Sequence, residues 1–365
     1  MPLVKHGKSG IYRLQYCCKI LLRTSVDTSE PLSRPVGPGD RRVLVTGGTG
    51  FIGPHLIVAL VGQGFIPCAL VRPTSNIAQL SALGIEYFVG GLDDPDVLAR
   101  AVSGVELVIH LAAVTRARSE QEYYSVNAEG TRNLVNAVRT TQPRPKRLIY
   151  VSSLAAAGPA VDGMPVSVHD APRPITAYGR SKLMGEAACL AAASEMEVVI
   201  LRPPAVYGPG DRDLFRCFQM ATHGILPVPT GPTRWIQFIH VHDLINALLC
   251  AVTATHAGGV YHVAEPQPYA WGEITDWLAK AVGRQVWAVR VPPWGIRAAA
   301  AVSEFGAAMI GRATIFNREK AEELLAPGWL CETEAVKRDL GFEVRIPLPQ
   351  GLVGTASWYR EHGWL

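Results

Sequence analysis

Tyr178, Lys182 and Ser153 have side chains that could exchange a proton with a carbonyl or an alcohol. Tyr178 and Lys182 are four residues apart in a stretch that predicts a helix, so both lie on one helical face. An ammonium near a phenol lowers the phenol pKa from about 10, which favours general acid or base catalysis near neutral pH. An exposed helical pair without a chemical role is the alternative interpretation.

Ser153 follows a stretch, 147–152, that predicts a β-strand. The carboxyl edge of a parallel sheet is where α/β proteins bind ligands, so a hydroxyl there could bond the same substrate oxygen. Ser153 is preferred to Ser152 because neighbouring strand residues point to opposite faces. A serine pair that merely ends the strand and caps the next turn is the alternative.

A glycine-rich turn follows the first predicted strand. Residues 43–46 predict an apolar strand, and Gly47, Gly50 and Gly53 follow at intervals of three before a helical stretch. The first glycine permits a tight turn, the second lets the backbone approach a pyrophosphate, and the third allows close packing of helix on strand. Free N–H groups at the helix start favour an anion, so the turn predicts a dinucleotide site.

Arg72 directly follows the second predicted strand, 67–71, at the position where an acidic side chain would bond a ribose 2′-hydroxyl. A guanidinium followed by Thr74 and Ser75 suits a 2′-phosphate instead, so NADP(H) is expected in preference to NAD(H). A solvated arginine, compatible with NAD, is the alternative. Asp93 could contact the adenine, and the small residues Ala112 and Ala113 could let the dinucleotide lie close.

The elements that would position these residues form an alternation of short strands and helices. It begins at Arg42 and is typical of a doubly wound parallel sheet. The Rossmann-type α/β fold predicted from it has a smaller C-terminal substrate-binding lobe. Residues 1–40 are interpreted as a disordered or atypical extension, 41–208 as the dinucleotide-binding domain with a sheet-completing segment near 237–262, and 209–365 as mainly the lobe. Strands are predicted at 42–46, 67–71, 86–89, 107–110, 147–152, 198–202 and 237–241.

Composition limits the kinds of partner and ligand that the protein is expected to bind. A net charge of +4 without a concentrated basic stripe argues against nucleic acid. Seven cysteines without a C-x-x-C pair indicate reduced thiols and a cytoplasmic protein. No apolar run reaches the roughly 18–20 residues of a membrane span, although the helix around 297–310, predicted to be a packed lid, could touch a membrane surface if the substrate is a lipid. His240 and His242 are interpreted as fold residues, so no metal is expected.

As an ordered set, several motifs resemble the extended short-chain dehydrogenase/reductases, also called the NAD-dependent epimerase/dehydratase family. They are T-G-G-T-G-F-I-G at 46–53, H-L-A-A at 110–113, N-A-E-G-T-R-N-L at 127–134, Y-V-S-S at 150–153, Y-G-R-S-K at 178–182 and R-P-P-A-V-Y-G-P-G-D at 202–211.

The resemblance implies hydride transfer at a nicotinamide, with Ser153 polarising the oxygen, Tyr178 exchanging its proton and Lys182 holding the ribose. It also implies that Asn127 positions the site and that helices within 119–140 and 176–195 pair in a homodimer. Further cofactor contacts carried over from the motifs are Thr49, Phe51, Ile52, Leu92, Pro203 and Val206.

The substrate class is harder to assign. Nucleotide-sugar enzymes of this family usually carry an arginine where this chain has Ile236, and Arg234 is displaced by two positions. The segments 71–75 and 150–159 are similar to dihydroflavonol-4-reductase-like and 3β-hydroxysteroid-dehydrogenase-like members, whose small-molecule substrates are apolar. Six tryptophans could line an apolar cleft or fill a core. An apolar carbonyl or alcohol substrate is therefore preferred to a nucleotide sugar, and a non-catalytic dinucleotide-binding regulator is the third alternative.

Overall fold

A computed structural model describes residues 42–309, 314 and 316–365. Seven parallel strands form its central sheet, in the order β3-β2-β1-β4-β5-β6-β11. The order reverses direction between β1 and β4, which creates the switch point at which open α/β sheets bind ligands. The strands are β1 (Arg42–Thr46), β2 (Ile66–Val71), β3 (Glu86–Val89), β4 (Leu107–His110), β5 (Arg147–Val151), β6 (Glu197–Arg202) and β11 (Gly259–His262).

Both faces of this sheet are covered, because successive side chains of each strand enter different cores. Val43 and Val45 of β1 belong to one buried cluster, whereas Leu44 between them belongs to another. The helices of this part are α1 (Ile52–Gly62), α2 (Ala78–Ala82), α3 (Pro95–Val102), α4 (Glu120–Tyr123), a π-helix (Tyr124–Gly130), α5 (Thr131–Thr140), α6 (Leu154–Ala157) and α7 (Ala177–Leu190).

Part of the remaining chain packs into a third core cluster that includes Tyr207, Phe218 and Tyr359. Three small sheets pair β10 with β7, β9 with β12 and β14, and β13 with β8. The strands are β7 (Ala205–Tyr207), β8 (Ile225–Pro229), β9 (Trp235–Ile236), β10 (Phe238–His240), β12 (Tyr269–Ala270), β13 (Trp287–Val291) and β14 (Gly328–Trp329). The helices are α8 (Phe215–Thr222), α9 (Val241–Thr253), α10 (Trp271–Val282), α11 (Pro293–Met309), α12 (Arg318–Leu325), α13 (Glu334–Leu340) and α14 (Leu348–Glu361).

The prediction of a doubly wound parallel sheet is confirmed, and β1, β3 and β4 have the predicted bounds. The strand predicted at 237–241 is shorter, because Val241 already begins α9. It pairs with β7 outside the central sheet, and β11 at the end of the 237–262 segment is the strand that extends that sheet next to β6. The interpretation of residues 1–40 lies outside the described residues. None of the described helices combines the length and the apolar content needed to cross a membrane.

Candidate active site

Ser153 and Tyr178 meet at the carboxyl end of β5. Ser153 is the second residue after the strand and its side chain caps α6 by accepting a hydrogen bond from Ala155 N at 3.1 Å. Tyr178 lies in the first turn of α7, which Thr176 caps. Burial raises the pKa of Tyr178 to about 12, and the neighbouring Ser153 hydroxyl opposes the shift.

Lys182 lies one turn further along α7, as the spacing predicts. Its ammonium is buried, donates a hydrogen bond of 2.7 Å to Val151 O of β5 and lies 4.2 Å from the centre of the Tyr150 ring. Burial lowers the pKa of Lys182 to about 7, and the carboxylate of Glu186 opposes this shift. The ammonium is therefore held against the backbone at the last residue of β5, two residues before Ser153.

A buried ion pair below Lys182 was not anticipated from the sequence. Arg202 of β6 donates to both Glu186 oxygens at 2.8 and 2.6 Å, and Ser152 Oγ donates to Glu186 Oε1 at 2.5 Å. Glu186 and Arg202 are 1% and 4% exposed. Tyr178, Lys182 and Glu186 are spaced four residues apart, which places three polar groups on one face of α7. This spacing is the feature of the sequence from which Glu186 could have been predicted to lie near the site.

Asn127 joins the loop after β4 to the catalytic helix α7. Its side-chain oxygen accepts from Val114 N at 2.8 Å, and its amide group donates to Val114 O and to Ser181 Oγ, both at 3.0 Å. Asn127 is fully buried inside the π-helix, whose irregular winding is common at functional sites. The structure thus places Asn127 where the resemblance implies a positioning role.

His110, at the end of β4, forms a continuous chain of hydrogen bonds that the sequence analysis missed. Thr131 Oγ1 donates to Asn127 O at 2.7 Å, so it must accept from His110 Nε2–H at 2.9 Å. His110 Nδ1 then accepts from Thr46 Oγ1 at 2.6 Å, and Thr46 accepts from Ala112 N at 3.2 Å. Burial lowers the pKa of His110 to about 3, which keeps the ring neutral, as this pattern requires.

The glycine turn after β1 has the shape that a dinucleotide needs. A Cβ at Gly53 would lie 2.5 Å from Gly47 O, so only glycine lets α1 approach the strand this closely. Gly47 has φ +73°, and a Cβ there would lie 2.7 Å from Ala112 N across the switch point. No side chain caps α1 and its first turn has no acidic residue, so its N–H groups are free to bind a pyrophosphate.

The other cofactor candidates are spread around the switch point. Arg72 is exposed after β2, and its backbone N–H donates to Ser75 Oγ at 3.2 Å. Leu92 packs against Gly130 and its carbonyl accepts from Asn133, whereas Asp93 is exposed. The partly or fully accessible candidates are Thr49, Gly50, Phe51, Ile52, Ala112, Ala113 and Val206, and Pro203 is buried with its carbonyl bound to Leu154 N.

Glu319 of α12 reaches the start of the catalytic helix and was also missed. One of its oxygens accepts from Ala177 N, while the other is buried without a partner among the described residues. Burial raises the pKa of Glu319, and the Ala177 and Tyr178 backbone N–H groups oppose the shift. α12 therefore contacts the catalytic helix next to Tyr178.

Arg234 does not have the free guanidinium that would clamp a pyrophosphate. It is 9% exposed and donates to Leu325 O, Thr230 O and Pro232 O, each at 3.2 Å. His240 caps α9 by accepting from His242 N at 3.2 Å, in line with a role in the fold. The described residues contain no group of three or more His, Cys, Asp or Glu side chains placed to hold a metal.

The six tryptophans do not gather in one cleft. Trp271 and Trp277 pack against the third core cluster, and Trp329 donates to Glu323 O at 2.8 Å. Trp235, Trp287 and Trp294 are 40%, 66% and 74% exposed. Core filling and an exposed surface account for the tryptophans better than a cleft lining does.

Comparison with known proteins places this geometry in context. The sequence model of the NAD dependent epimerase/dehydratase family matches residues 43–264. The chain is 33% identical over 326 residues to the ceramide reductase of Caulobacter vibrioides, covering 88% of this chain and 96% of that protein. It is 29% identical over 336 residues to sterol demethylase protein B of Methylococcus capsulatus, covering 88% and 99%.

Solved structures agree with the fold. The structure of MoeE5 in complex with UDP-glucuronic acid and NAD superposes with a TM-score of 0.70 at 25% identity, covering 88% of this chain and 99% of that one.

Proposed function

Because the chain belongs to the NAD dependent epimerase/dehydratase family, we propose that it is a reductase or dehydrogenase for a carbonyl or alcohol of a largely apolar substrate. The family and its relatives, which are reductases, epimerases and dehydratases, make the chain an NAD-dependent enzyme of the extended short-chain dehydrogenase/reductase type. The observation that carries the reaction is that the Ser153 hydroxyl lies beside the Tyr178 phenol, next to the switch point, where it opposes the rise in the phenol pKa.

When bound, the nicotinamide supplies or accepts the hydride. Ser153 donates a hydrogen bond to the substrate oxygen, and Tyr178 gives that oxygen a proton in reduction or takes one in oxidation. The phenol must become more acidic for this role, because burial raises its pKa to about 12. Lys182, once its ammonium turns from Val151 O toward the ribose and the phenol, would supply part of the required positive charge.

Residues around the switch point would hold the cofactor. The α1 N–H groups and the loop from Gly47 to Gly53 would bind the pyrophosphate, and Leu92, Asp93 and Ala112 would border the adenosine side. The exposed Arg72 supports a preference for NADP(H), since its guanidinium is placed after β2 with no acidic residue beside it.

An apolar substrate is supported by two observations. Arg234 already donates to three backbone carbonyls, so it is poorly placed to bind the pyrophosphate of a nucleotide sugar. The relatives that act on ceramide and sterols match nearly the whole chain. The nucleotide-sugar alternative keeps support from MoeE5, which binds UDP-glucuronic acid and is similar in fold.

The proposal includes a homodimer formed by α5 and α7, and a cytoplasmic location. The five described cysteines are free thiols, which supports a reducing compartment.

Turnover of a ketone panel tests the reaction. With long-chain and polycyclic ketones, NADPH absorbance should fall with net turnover, whereas nucleotide sugars should give none. Tyr178→Phe should lower kcat by about 100-fold or more while the dissociation constant of NADPH stays unchanged, because only the proton donor is lost. Isomerisation of a nucleotide sugar without net cofactor turnover would contradict the proposed reductase activity.

The cofactor preference has a matched measurement. Arg72→Ala should reduce the ratio of kcat/KM for NADPH to that for NADH, and Arg100→Ala, an exposed arginine on α3, should leave it unchanged. Equal kcat/KM values for NADPH and NADH in the wild type would contradict the preference for NADP(H), but they would not contradict the proposed reaction.

A further inference from the structure

α11 presents a strip of apolar side chains to solvent. Trp294 is 74% exposed, Val302 72%, Phe305 69% and Met309 73%, and Ala298 is exposed between them. At about 100° per residue, these five positions fall within an arc of about 80°. The strip runs from the second residue of the helix to its last, so it forms one continuous apolar face.

The charged residues of α11 do not interrupt this strip. Arg297 donates to both Glu322 oxygens at 2.7 and 3.1 Å, and Glu304 pairs with Arg318 at 3.4 Å. Both partners belong to α12. The two charged side chains of α11 are therefore directed to the neighbouring helix, and the outer face is left without charge.

The opposite side of α11 packs against the rest of the protein. Ile296 and Ala300 are 5% and 0% exposed and form a small core with Ala321 of α12. α12 in turn contacts the catalytic helix, because Glu319 accepts a hydrogen bond from Ala177 N. The strip is thus the outer surface of a two-helix layer whose inner side lies at the candidate active site.

The chemistry of the strip fits a lipid bilayer better than a protein. Protein interfaces carry about one hydrogen bond per 100–200 Å². The only polar side-chain atom of the strip is the indole N–H of Trp294, at one end. Tryptophan is enriched at the membrane–water boundary, and Trp287, 66% exposed in β13 shortly before α11, adds a second indole.

We propose that the α11 strip docks on the surface of a phospholipid bilayer and brings the active site to an apolar substrate dissolved there. An amphipathic helix binds a bilayer in this way when its apolar face is long and its charges lie elsewhere. The role in substrate supply rests on the proposed function, whereas the docking itself does not.

Vesicle flotation of the full chain tests the docking. Vesicles of phosphatidylcholine, with and without phosphatidylglycerol, should carry the wild-type protein upward. Val302→Glu with Phe305→Glu should lower the bound fraction by about tenfold or more, because two charges would enter the interface. The matched control, Val61→Glu with Val353→Glu, changes two helical valines that are 45% and 48% exposed elsewhere and should bind like the wild type.

Activity separates docking from catalysis. The Val302→Glu/Phe305→Glu variant should reduce a short, water-soluble ketone at the wild-type rate and a vesicle-dissolved ketone more slowly. Docking with no turnover of any ketone would support the strip and reject the proposed function.

Three results would overturn the docking proposal. The wild-type protein could bind neither type of vesicle, or the Val302→Glu/Phe305→Glu variant could float like the control variant. In the third, the strip only joins two copies of the chain. The last would appear as a wild-type dimer without lipid binding that the strip variant converts to a monomer.

Discussion

At the residue scale, the charge of Lys182 depends on one buried carboxylate. Burial lowers the pKa of Lys182 to about 7, and Glu186, one turn away on α7, raises it. The proposed reaction needs the ammonium form, so activity should be lost as the pH rises through the Lys182 pKa. Glu186 therefore widens the pH range in which the phenol of Tyr178 is activated.

Removal of the ion pair tests this dependence. In Glu186→Gln with Arg202→Met, the Lys182 pKa should fall further, because the carboxylate that raises it is gone, and the alkaline limb of the kcat profile should move to lower pH. Replacing both partners avoids an unpaired buried arginine, which would cost about 3–5 kcal/mol. Glu195→Gln removes a carboxylate bound to Arg139 and Arg144 instead and should leave the profile in place. An unshifted limb in a folded double variant would contradict the role of Glu186.

At the element scale, the contact between α12 and α7 joins the C-terminal part of the chain to the catalytic helix. Glu319 accepts from Ala177 N, and a negative charge at a helix N-terminus is stabilising. Glu319→Ala should lower the free energy of unfolding by about 1 kcal/mol, as the loss of a helix cap does. Glu319→Gln keeps an acceptor oxygen and should lose less.

Equilibrium unfolding in urea measures both changes. Glu361→Ala, at the exposed end of α14, is the control and should have little effect. A Glu319→Ala variant as stable as this control would show that the contact contributes nothing to stability.

The elements also show where local pattern was sufficient. β1, β3 and β4 were predicted to the residue because apolar runs bounded by turn residues define strands well. The end of β10 was misjudged because Val241, a β-branched residue that favours strands, begins a helix there. The cap that His240 supplies to α9 decides this boundary, and it depends on the position of a side chain.

At the scale of the whole molecule, the dimer remains a prediction. α7 exposes the apolar side chain of Met184, which is 43% accessible. If this face pairs with a second copy, Met184→Glu should shift the mass measured by light scattering from two chains to one, since a charge would enter an apolar interface. Met164→Glu, at an apolar residue 69% exposed in a loop, should leave the mass unchanged. A monomeric wild type would reject the dimer.

The sequence by itself determined the fold class and the family, and it predicts the Ser153, Tyr178 and Lys182 trio. These follow from local order: strand and helix periods, glycines at intervals of three, and a tyrosine and a lysine one helical turn apart. Such signals are readable because they depend on residues that are neighbours along the chain.

Only the tertiary structure decided which distant residues support this trio. Glu186 meets Arg202, His110 links Thr46 to Thr131, and Glu319 reaches Ala177 across 142 positions. It also decided that the α11 strip faces solvent while the other side of this helix packs on α12. The physical reason is that hydrogen bonds and burial depend on distance in space, and a single sequence reports only distance along the chain.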